Sequence, residues 1–380
     1  MSETKIWLSS PHMGGTEQAY VQEAFDTNWI APLGPNVNGF EESIKSYLGE
    51  GKEVAAISSG TAGIHLALIL LGIERDDIVL CQSFTFSASA NPIKYQGAIP
   101  IFIDSEQETW NMCPEHLEEA IKDCIALGKK PKAIIAVHLY GMPYKVEEIQ
   151  AISTKYEIPI IEDSAEALGS SYKNQKCGTV GDISILSFNG NKIITTSGGG
   201  ALVCNSKSIK DKAVFLATQA RDNAPHYEHS QVGYNYRMSN ICAGIGRGQM
   251  EVLDAHVQLR RGMNDFYNGL FKGIDGVSMF KEPSNDYFSN HWLSAITIDP
   301  KTTGGVTATD LREAFTKANI ESRPLWKPMH LQPVFKNEKY YGSGVSETLF
   351  KNGLCLPSGS NLTDSDRDRI EKVIFTIFKV

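Results

Sequence analysis

Short apolar runs alternate with amphipathic stretches along the first half of the chain, from about Thr16 to Asn205. This alternation is typical of a parallel sheet whose strands are joined and covered by helices. The clearest strands are predicted at DIVLCQ (77–82), AIPIFID (98–104), AIIAVHLYG (133–141), IPIIED (158–163), ISILSF (183–188) and GALVC (200–204). Several end in polar or charged residues. Because ligands of open α/β sheets bind beyond the carboxyl ends of strands, we expect the chemistry there.

The pattern changes after a segment rich in Arg, His, Tyr and Asn that lies between Ala217 and Gln249. A long helix is predicted next, over VLDAHVQLRRGMNDFYNGLF, and beyond residue 275 strands such as HWLSAITID mix with helices such as ATDLREAFTKAN. A chain of 380 residues exceeds what one ordinary hydrophobic core serves. We therefore predict a large domain over residues 1–250 and a smaller α+β domain over residues 251–380.

Composition narrows the class of protein. Hydrophobic residues make up 42% and charged residues 21%, which is typical of a globular protein. A net charge of -8 argues against nonspecific nucleic-acid binding, which needs a basic face. No apolar run is long enough for a membrane span and the first residues do not resemble a signal peptide, so we expect a cytoplasmic protein. The seven cysteines show no zinc-type spacing and are predicted to be buried, reduced thiols.

The strongest local signal for chemistry is SFNGNKIITTSGGG, residues 187–200. An apolar strand here leads to Lys192, which is flanked by Ile193 and Ile194, and then to a glycine triplet. Because burial favours the neutral amine, a lysine held in this way is suited to form a Schiff base. The alternative is an ordinary surface lysine in a turn, since glycine triplets also occur in simple turns.

Two further segments could bind parts of the same cofactor. In IPIIEDSAEALGS, a buried strand ends at Asp163, whose carboxylate could keep the pyridine nitrogen of pyridoxal phosphate protonated. The alternative is that Asp163 caps a helix. In AAISSGTAGIHLALILLG, the first amides of a helix, those of Gly60, Thr61 and Ala62, could bind a phosphate group. A phosphate site, a carboxylate and a lysine in this order together indicate a pyridoxal-phosphate site.

The chain resembles the DegT-type nucleotide-sugar aminotransferases along nearly its whole length. The motifs that carry the resemblance are PHMGG, NWIAPLGP, SSGTAGIHLAL, SFTFSAS, HLYG, EDSAEALGS, SFNGNKIITTSGGG, QARDNAPHYEH, GYNYRMSN, ESRPLWKPMH and LCLPSG. The resemblance implies an α/β fold of fold-type I, like that of aspartate aminotransferase. It also implies a homodimer with shared active sites and a pyridoxal-phosphate cofactor bound to Lys192.

The resemblance also implies roles for other residues. The expected cofactor contacts are Thr61, Ala62 and Ser187 at the phosphate, Phe86 on the ring, Asp163 at its nitrogen, Glu166 near its phenolic oxygen, and Asn235 at the phosphate of the neighbouring subunit. The expected substrate contacts are Trp29, Ala31, Arg237, Arg323, Trp326 and His330. Alternatively, Trp29 and Trp326 are core residues and Arg323 belongs to a surface ion pair. His226 and His229 have a spacing that occurs in metal sites, but without suitable companions they predict no metal site.

Within this family, the chain resembles the members that make the amino sugar of the bacillosamine pathway. They imply that a UDP-linked 4-keto-6-deoxy-N-acetylhexosamine is the amino acceptor and that L-glutamate is the donor. Aminotransferases of the GDP-perosamine and legionaminic-acid pathways share most of these motifs and remain alternatives. Sugar dehydratases of similar fold have His in place of the lysine, so Lys192 argues against them. A noncatalytic, cofactor-binding regulator is the alternative from another class.

Overall fold

An eight-stranded sheet forms the centre of the computed structural model, which describes residues 4–379. In chain order, the strands of the described residues are β1 (Glu53–Ile57), β2 (Ile78–Gln82), β3 (Ile99–Ile103), β4 (Ala133–Val137), β5 (Ile160–Asp163), β6 (Ser171–Tyr172), β7 (Gln175–Lys176), β8 (Ile183–Ser187), β9 (Gly200–Cys204), β10 (Val277–Met279), β11 (Tyr287–Phe288), β12 (Ser294–Ile298), β13 (Arg323–Pro324), β14 (Tyr340–Tyr341) and β15 (Gly353–Leu356). The central sheet has the order β1-β9-β8-β5-β4-β2-β3-β14.

The direction of the strands in this sheet is mostly parallel, as predicted. Strands β8, β5, β4, β2, β3 and β14 run parallel to their neighbours in this row, whereas β9 pairs antiparallel with both β8 and β1. All six predicted strands are present. The run predicted at 133–141 ends earlier, because Leu139–Gly141 forms a 3₁₀ turn in which Tyr140 has a φ of 54°.

Helices cover both faces of the sheet. In chain order they are α1 (Glu17–Asp26), α2 (Pro35–Leu48), α3 (Gly60–Leu70), α4 (Asn91–Tyr95), α5 (Pro114–Ala126), α6 (Val146–Tyr156), α7 (Lys207–Ala217), α8 (Asn240–Glu251), α9 (Leu253–Phe271), α10 (Ala308–Lys317), α11 (Val345–Asn352) and α12 (Asp364–Phe378). Helix α3 is apolar on nearly every side and most of its residues are buried. The part of this helix that is available to a ligand is therefore its N-terminal end, where backbone amides are polar.

A second, antiparallel sheet has the order β10-β12-β15-β13, and α9, α10 and α12 share a core with it. The proposed division at residue 250 separates this sheet from most of the first. Several contacts cross it, and three of them join sheets or helices: Ile6 pairs with Ile320, β14 joins the central sheet, and Asp104 accepts amide hydrogen bonds from residues 343–346 at the start of α11. Burial acts to raise the pKa of Asp104, but hydrogen bonds to its carboxylate, led by the one from the hydroxyl of Ser346, outweigh burial, so the pKa is lowered.

The seven cysteines are free thiols, and six of them are buried as predicted, whereas Cys242 is partly exposed. Burial raises the pKa of the Cys177 thiol well above its ordinary value, which keeps this side chain protonated and unreactive. Among the helices of residues 4–379, none is long and apolar enough to cross a bilayer.

Candidate active site

A cavity of about 250 Å³ lies where the carboxyl ends of β5 and β8 meet the first turn of α3. Seven of the residues expected at the site line this one cavity: Thr61, Phe86, Asp163, Glu166, Ser187, Lys192 and Trp326. They come from positions between 61 and 326 in the chain. The parallel sheet brings them together because the carboxyl ends of its strands share one edge.

Lys192 lies in the loop between β8 and β9, with its side chain directed into the cavity. The side chain is 12% exposed, so it is not an ordinary surface lysine. Its Nζ lies 3.6 Å from Oε1 of Glu166 and 4.2 Å from the centroid of the Trp292 ring. The amine is therefore confined between a carboxyl group and an aromatic face.

Asp163 is the last residue of β5 and is buried. Its Oδ2 accepts a hydrogen bond of 2.6 Å from the Ser89 hydroxyl, and its Oδ1 accepts one of 3.2 Å from the amide of Ala165. Burial raises the pKa of Asp163, against the opposing effect of these hydrogen bonds and of Lys192. The residues that follow form turns and no helix, so Asp163 does not cap a helix.

Glu166 lies in those turns and is the second buried carboxyl group of the cavity. Its Oε2 accepts a hydrogen bond of 2.7 Å from the amide of Tyr140. Burial raises the pKa of Glu166, while Lys192 and the Tyr140 amide act in the opposite direction. A carboxyl group with this balance can change its protonation state when the charge on the neighbouring lysine changes.

The first turn of α3 provides an anion site, although one predicted donor differs. Ser59 caps the helix, and its hydroxyl accepts a hydrogen bond of 3.1 Å from the amide of Ala62. The Ala62 amide was predicted to bind a phosphate group, but this hydrogen bond already occupies it. The first intrahelical bond is donated by Gly63, which leaves the amides of Gly60 and Thr61 facing the cavity end.

Two aromatic side chains border the mouth of the cavity. The rings of Phe86 and Trp326 lie 5.6 Å apart, and the Phe86 side chain is 53% exposed. The amide of Trp326 donates to the Tyr140 hydroxyl at 2.9 Å, which fixes the segment after β13 against the 3₁₀ turn. Trp326 is therefore part of the cavity wall and not simply a core residue.

A second cavity of about 490 Å³ adjoins the first and shares Asn191, Trp292 and Trp326 with it. Arg323 and Lys327 also line this second cavity. The Arg323 guanidinium donates to Glu321 at 3.0 and 2.7 Å, so the surface ion pair that was the alternative for Arg323 is present. Lys327 is exposed and forms no ion pair within the described residues.

The remaining predicted substrate contacts lie outside both cavities. His330 hydrogen-bonds the Ser83 hydroxyl at 2.7 Å and packs on Tyr340. Arg237 forms hydrogen bonds within its own chain, because its Nη1 donates to a carboxylate oxygen of Glu41 and to the carbonyl of Ala56. The structure thus gives these two side chains partners that require no ligand.

Trp29, Ala31 and Asn235 also lie outside the cavities. Trp29 is 41% exposed, and the carbonyl of Ala31 accepts the amide of Asn240 at 2.8 Å. Asn235 is exposed and pairs with Thr218 through an isolated β-bridge. None of these three residues lines either of the two cavities.

The described residues contain one group with the ligand types of a metal site, formed by His138, Glu162 and Cys177. The oxygens of Glu162 accept hydrogen bonds from His138, two serine hydroxyls and three backbone amides. Burial raises the pKa of Glu162, but these donors outweigh it and lower the pKa to about 2. The group is thus a hydrogen-bonded support beneath the site. His226 and His229 lie in an irregular segment and not on a helix.

Sequence reasoning assigned no role to Trp292, Asn191 and Ser89, which also line the first cavity. Trp292 lies in HWLSAITID, whose apolar pattern predicts only a strand. A tryptophan beside a histidine gave no sign that its ring would face a lysine 100 residues earlier.

Comparison with known proteins identifies the family. The family model "DegT/DnrJ/EryC1/StrS aminotransferase family" matches residues 11–375. The chain belongs to this family. It is 50% identical over 378 residues to the putative pyridoxal phosphate-dependent aminotransferase EpsN of Bacillus subtilis, covering 98% of this chain and 96% of that protein. It is 38% identical to a GDP-perosamine synthase of Escherichia coli O157:H7, covering 94% of each.

The solved structure of a DegT/DnrJ/EryC1/StrS aminotransferase from Brucella abortus is similar throughout. Its TM-score is 0.88 at 29% sequence identity, with 96% of each chain covered. The fold is thus fold-type I, as predicted, and this DegT-family chain is a pyridoxal-phosphate-dependent sugar aminotransferase.

The cavity suits pyridoxal phosphate, because a helix start, two carboxyl groups and a lysine occupy its wall. The helix start can approach the end of the sheet only because residue 200 is glycine, as a Cβ there would lie 2.5 Å from the Ser59 carbonyl carbon.

Proposed function

We propose that this DegT-family enzyme transfers the amino group of L-glutamate to the C4 ketone of a UDP-linked 4-keto-6-deoxy-N-acetylhexosamine. The observation that carries the catalytic part is the single cavity shared by Lys192, Asp163 and the first turn of α3. The sugar nucleotide would extend from this cavity into the adjoining one, where aromatic side chains and Lys327 suit a base and a diphosphate.

Each residue of the cavity has a proposed task in the reaction. When bound, pyridoxal phosphate supplies a ring that accepts the electrons left behind as the donor loses its α proton. Lys192 would bind the cofactor covalently and, once released, take that proton and return it at the next carbon. Asp163 would accept the N–H of the ring nitrogen, whose positive charge favours the ionised carboxylate. Ser187, Thr61 and the amides at the start of α3 would bind the phosphate.

A second candidate is a GDP-linked 4-keto-6-deoxy hexose as the acceptor. It is supported by the 38% identity to the Escherichia coli GDP-perosamine synthase and by 33% identity to two further proteins of that name. The two acceptors differ in the base and in the substituent at C2.

Incubation of the purified enzyme with glutamate and each keto sugar nucleotide separates the two candidates. We expect 2-oxoglutarate and a 4-amino sugar from the UDP substrate, with the configuration at C4 determined by NMR. Lys192→Ala should abolish turnover while the protein stays folded. Efficient turnover of the GDP substrate alone would establish the second candidate, and turnover of neither would contradict both.

We also propose a homodimer in which Asn235, Trp29 and Ala31 of one subunit reach the site of the other. Its support is the exposed apolar surface beside Trp29, which includes Phe25, Ile30 and Leu33 at 59%, 47% and 55% exposure. Apolar groups exposed in such a group are typical of a surface that another subunit covers.

A further inference from the structure

Arg260, on α9, is a fully buried guanidinium with no acidic partner. It is 1% exposed, and among the described residues no carboxylate lies within ion-pair distance of it. Burial without a counter-ion lowers the pKa of Arg260 to about 9. Placing an uncompensated charge in a protein interior costs several kcal/mol, so such a residue calls for an explanation beyond packing.

Three of the four residues that accept hydrogen bonds from Arg260 line the two cavities: Trp292, Lys192 and Ser9. Nη1 donates to the carbonyl of Trp292 at 2.6 Å and to that of Ser358 at 3.3 Å. Nη2 donates to the hydroxyl of Ser9 at 2.9 Å and to the carbonyl of Lys192 at 3.4 Å. One side chain thus joins the backbone of the lysine to the backbone of the tryptophan whose ring faces it.

The neighbouring carbonyl of the lysine loop is held from the same side. The carbonyl of Asn191 accepts hydrogen bonds of 2.7 Å from the Ser9 hydroxyl and from Nε1 of Trp292. The loop follows β8 and has no regular secondary structure, so these bonds take the place of a helix or strand in fixing it. Arg260, Ser9 and Trp292 are called the carbonyl clamp below.

We propose that Arg260 is a positioning residue that holds the Lys192 loop and Trp292 in the one arrangement that places the lysine amine for proton transfer. The proposal rests on the catalytic role proposed for Lys192. A neutral side chain of similar length would leave the carbonyls of residues 192, 292 and 358 without their shared donor. A shift of about 1 Å at a reacting group can cost on the order of 100-fold in rate, so a loosened loop should slow the chemistry.

The test compares Arg260→Met and Arg260→Lys with Arg261→Met. Arg261 is the next residue of α9, but its Nη1 bonds Glu282 and the carbonyl of Ser289 at the edge of the helix, so it is a matched control. For Arg260→Met we expect kcat to fall on the order of 10- to 100-fold with KM for the sugar nucleotide nearly unchanged. The isotope effect with α-deuterated glutamate should rise, Arg260→Lys should recover part of the rate, and Arg261→Met should behave as wild type.

A second measurement needs no sugar. Apoenzyme is mixed with pyridoxal phosphate, and covalent attachment is followed by absorbance and by borohydride trapping at Lys192 with peptide mass spectrometry. Arg260→Met should attach the cofactor more slowly. If Arg260→Met does not fold, Ser9→Ala, which removes one clamp contact, should show smaller effects in the same direction. A lower melting temperature with unchanged attachment rate and isotope effect would overturn the proposal, whichever sugar the enzyme uses.

Discussion

Two buried carboxyl groups, Asp163 and Glu166, share one cavity with a single lysine, yet their surroundings differ. Asp163 is held by a hydroxyl and an amide at the end of a strand, where its oxygens have a fixed direction. Glu166 lies in a turn and bonds the amide of Tyr140 with one oxygen, while the other faces Lys192. Asp163 is thus suited to hold a charge, and Glu166 is suited to respond to one.

The negative charge of Asp163 should contribute more to the reaction rate than the hydrogen bond that Ser89 donates to it. Asp163→Asn keeps the shape but removes the charge, and we expect the half-reaction with glutamate to slow by roughly 10²- to 10³-fold, as when a preorganised electrostatic contact is lost. Single-turnover kinetics measure this step directly. Ser89→Ala should give a much smaller loss, because the amide of Ala165 still holds the carboxylate. Equal losses in the two variants would contradict the role of the charge.

The raised pKa of Glu166 predicts how stability of the apoenzyme depends on pH. Since the native carboxyl binds its proton more tightly than the unfolded one, the native state gains stability from this group at low pH and loses it as the pH rises through the native pKa. Glu166→Gln removes this dependence. Urea unfolding of both proteins between pH 4 and 8 measures their free energies of unfolding. The value for the variant should rise relative to that of wild type as the pH rises, and a constant difference would refute the prediction.

The elements that form the site are short, and each presents its end to the cavity. Helix α3 contributes its first turn, β5 and β8 contribute their last residues, and β9 begins at Gly200 directly beside α3. The register of β8 and β9 pairs Ser187 with Gly200, so the phosphate side of the cavity is built from one strand pair and one helix start.

The contact of α3 with β9 should tolerate no side chain at residue 200. In Gly200→Ala the new Cβ would lie 2.5 Å from the Ser59 carbonyl carbon and 2.6 Å from the Gly60 nitrogen. Overpacking of this kind costs about 1–3 kcal/mol, and here it displaces the phosphate donors. We expect a lower melting temperature and roughly tenfold weaker binding of pyridoxal phosphate by titration of the apoenzyme. Gly269→Ala, on an open part of α9, should bind as wild type does.

The apolar pattern of the sequence predicted where the strands of the central sheet lie, but not the direction in which every strand runs or which distant side chains meet. Strands buried on both faces appear as continuous apolar runs, so β2, β3, β4, β5, β8 and β9 could be found in the sequence. An apolar run carries no information on direction, so the antiparallel pairing of β9 had no signal. The turn at Tyr140 and the ring of Trp292 beside Lys192 depend on contacts between distant segments, which no local pattern contains.

At the scale of the whole molecule, both halves of the chain contribute side chains to the active-site cavity. Trp292 and Trp326 come from the segments before β12 and after β13, and they form the wall between the two cavities. The described residues of one chain leave Asn235 exposed and away from both cavities. The role that we propose for Asn235 at a phosphate is therefore a role at the site of a second subunit.

Mixed dimers test this shared site directly. Asn235→Ala should lower activity by weakening the phosphate contact, and Lys192→Ala should abolish it. In a mixed dimer of the two variants, one site combines both defects, whereas the other has Lys192 from one subunit and Asn235 from its partner. Such a dimer should therefore recover about half of the wild-type activity, since a two-fold dimer has two equivalent sites.

The dimers are separated by different affinity tags and their mass is checked by light scattering. If Asn235 acted within its own chain, each site would keep one defect and mixing would restore no activity above that of the Asn235→Ala sites, which would exclude sites shared in this way.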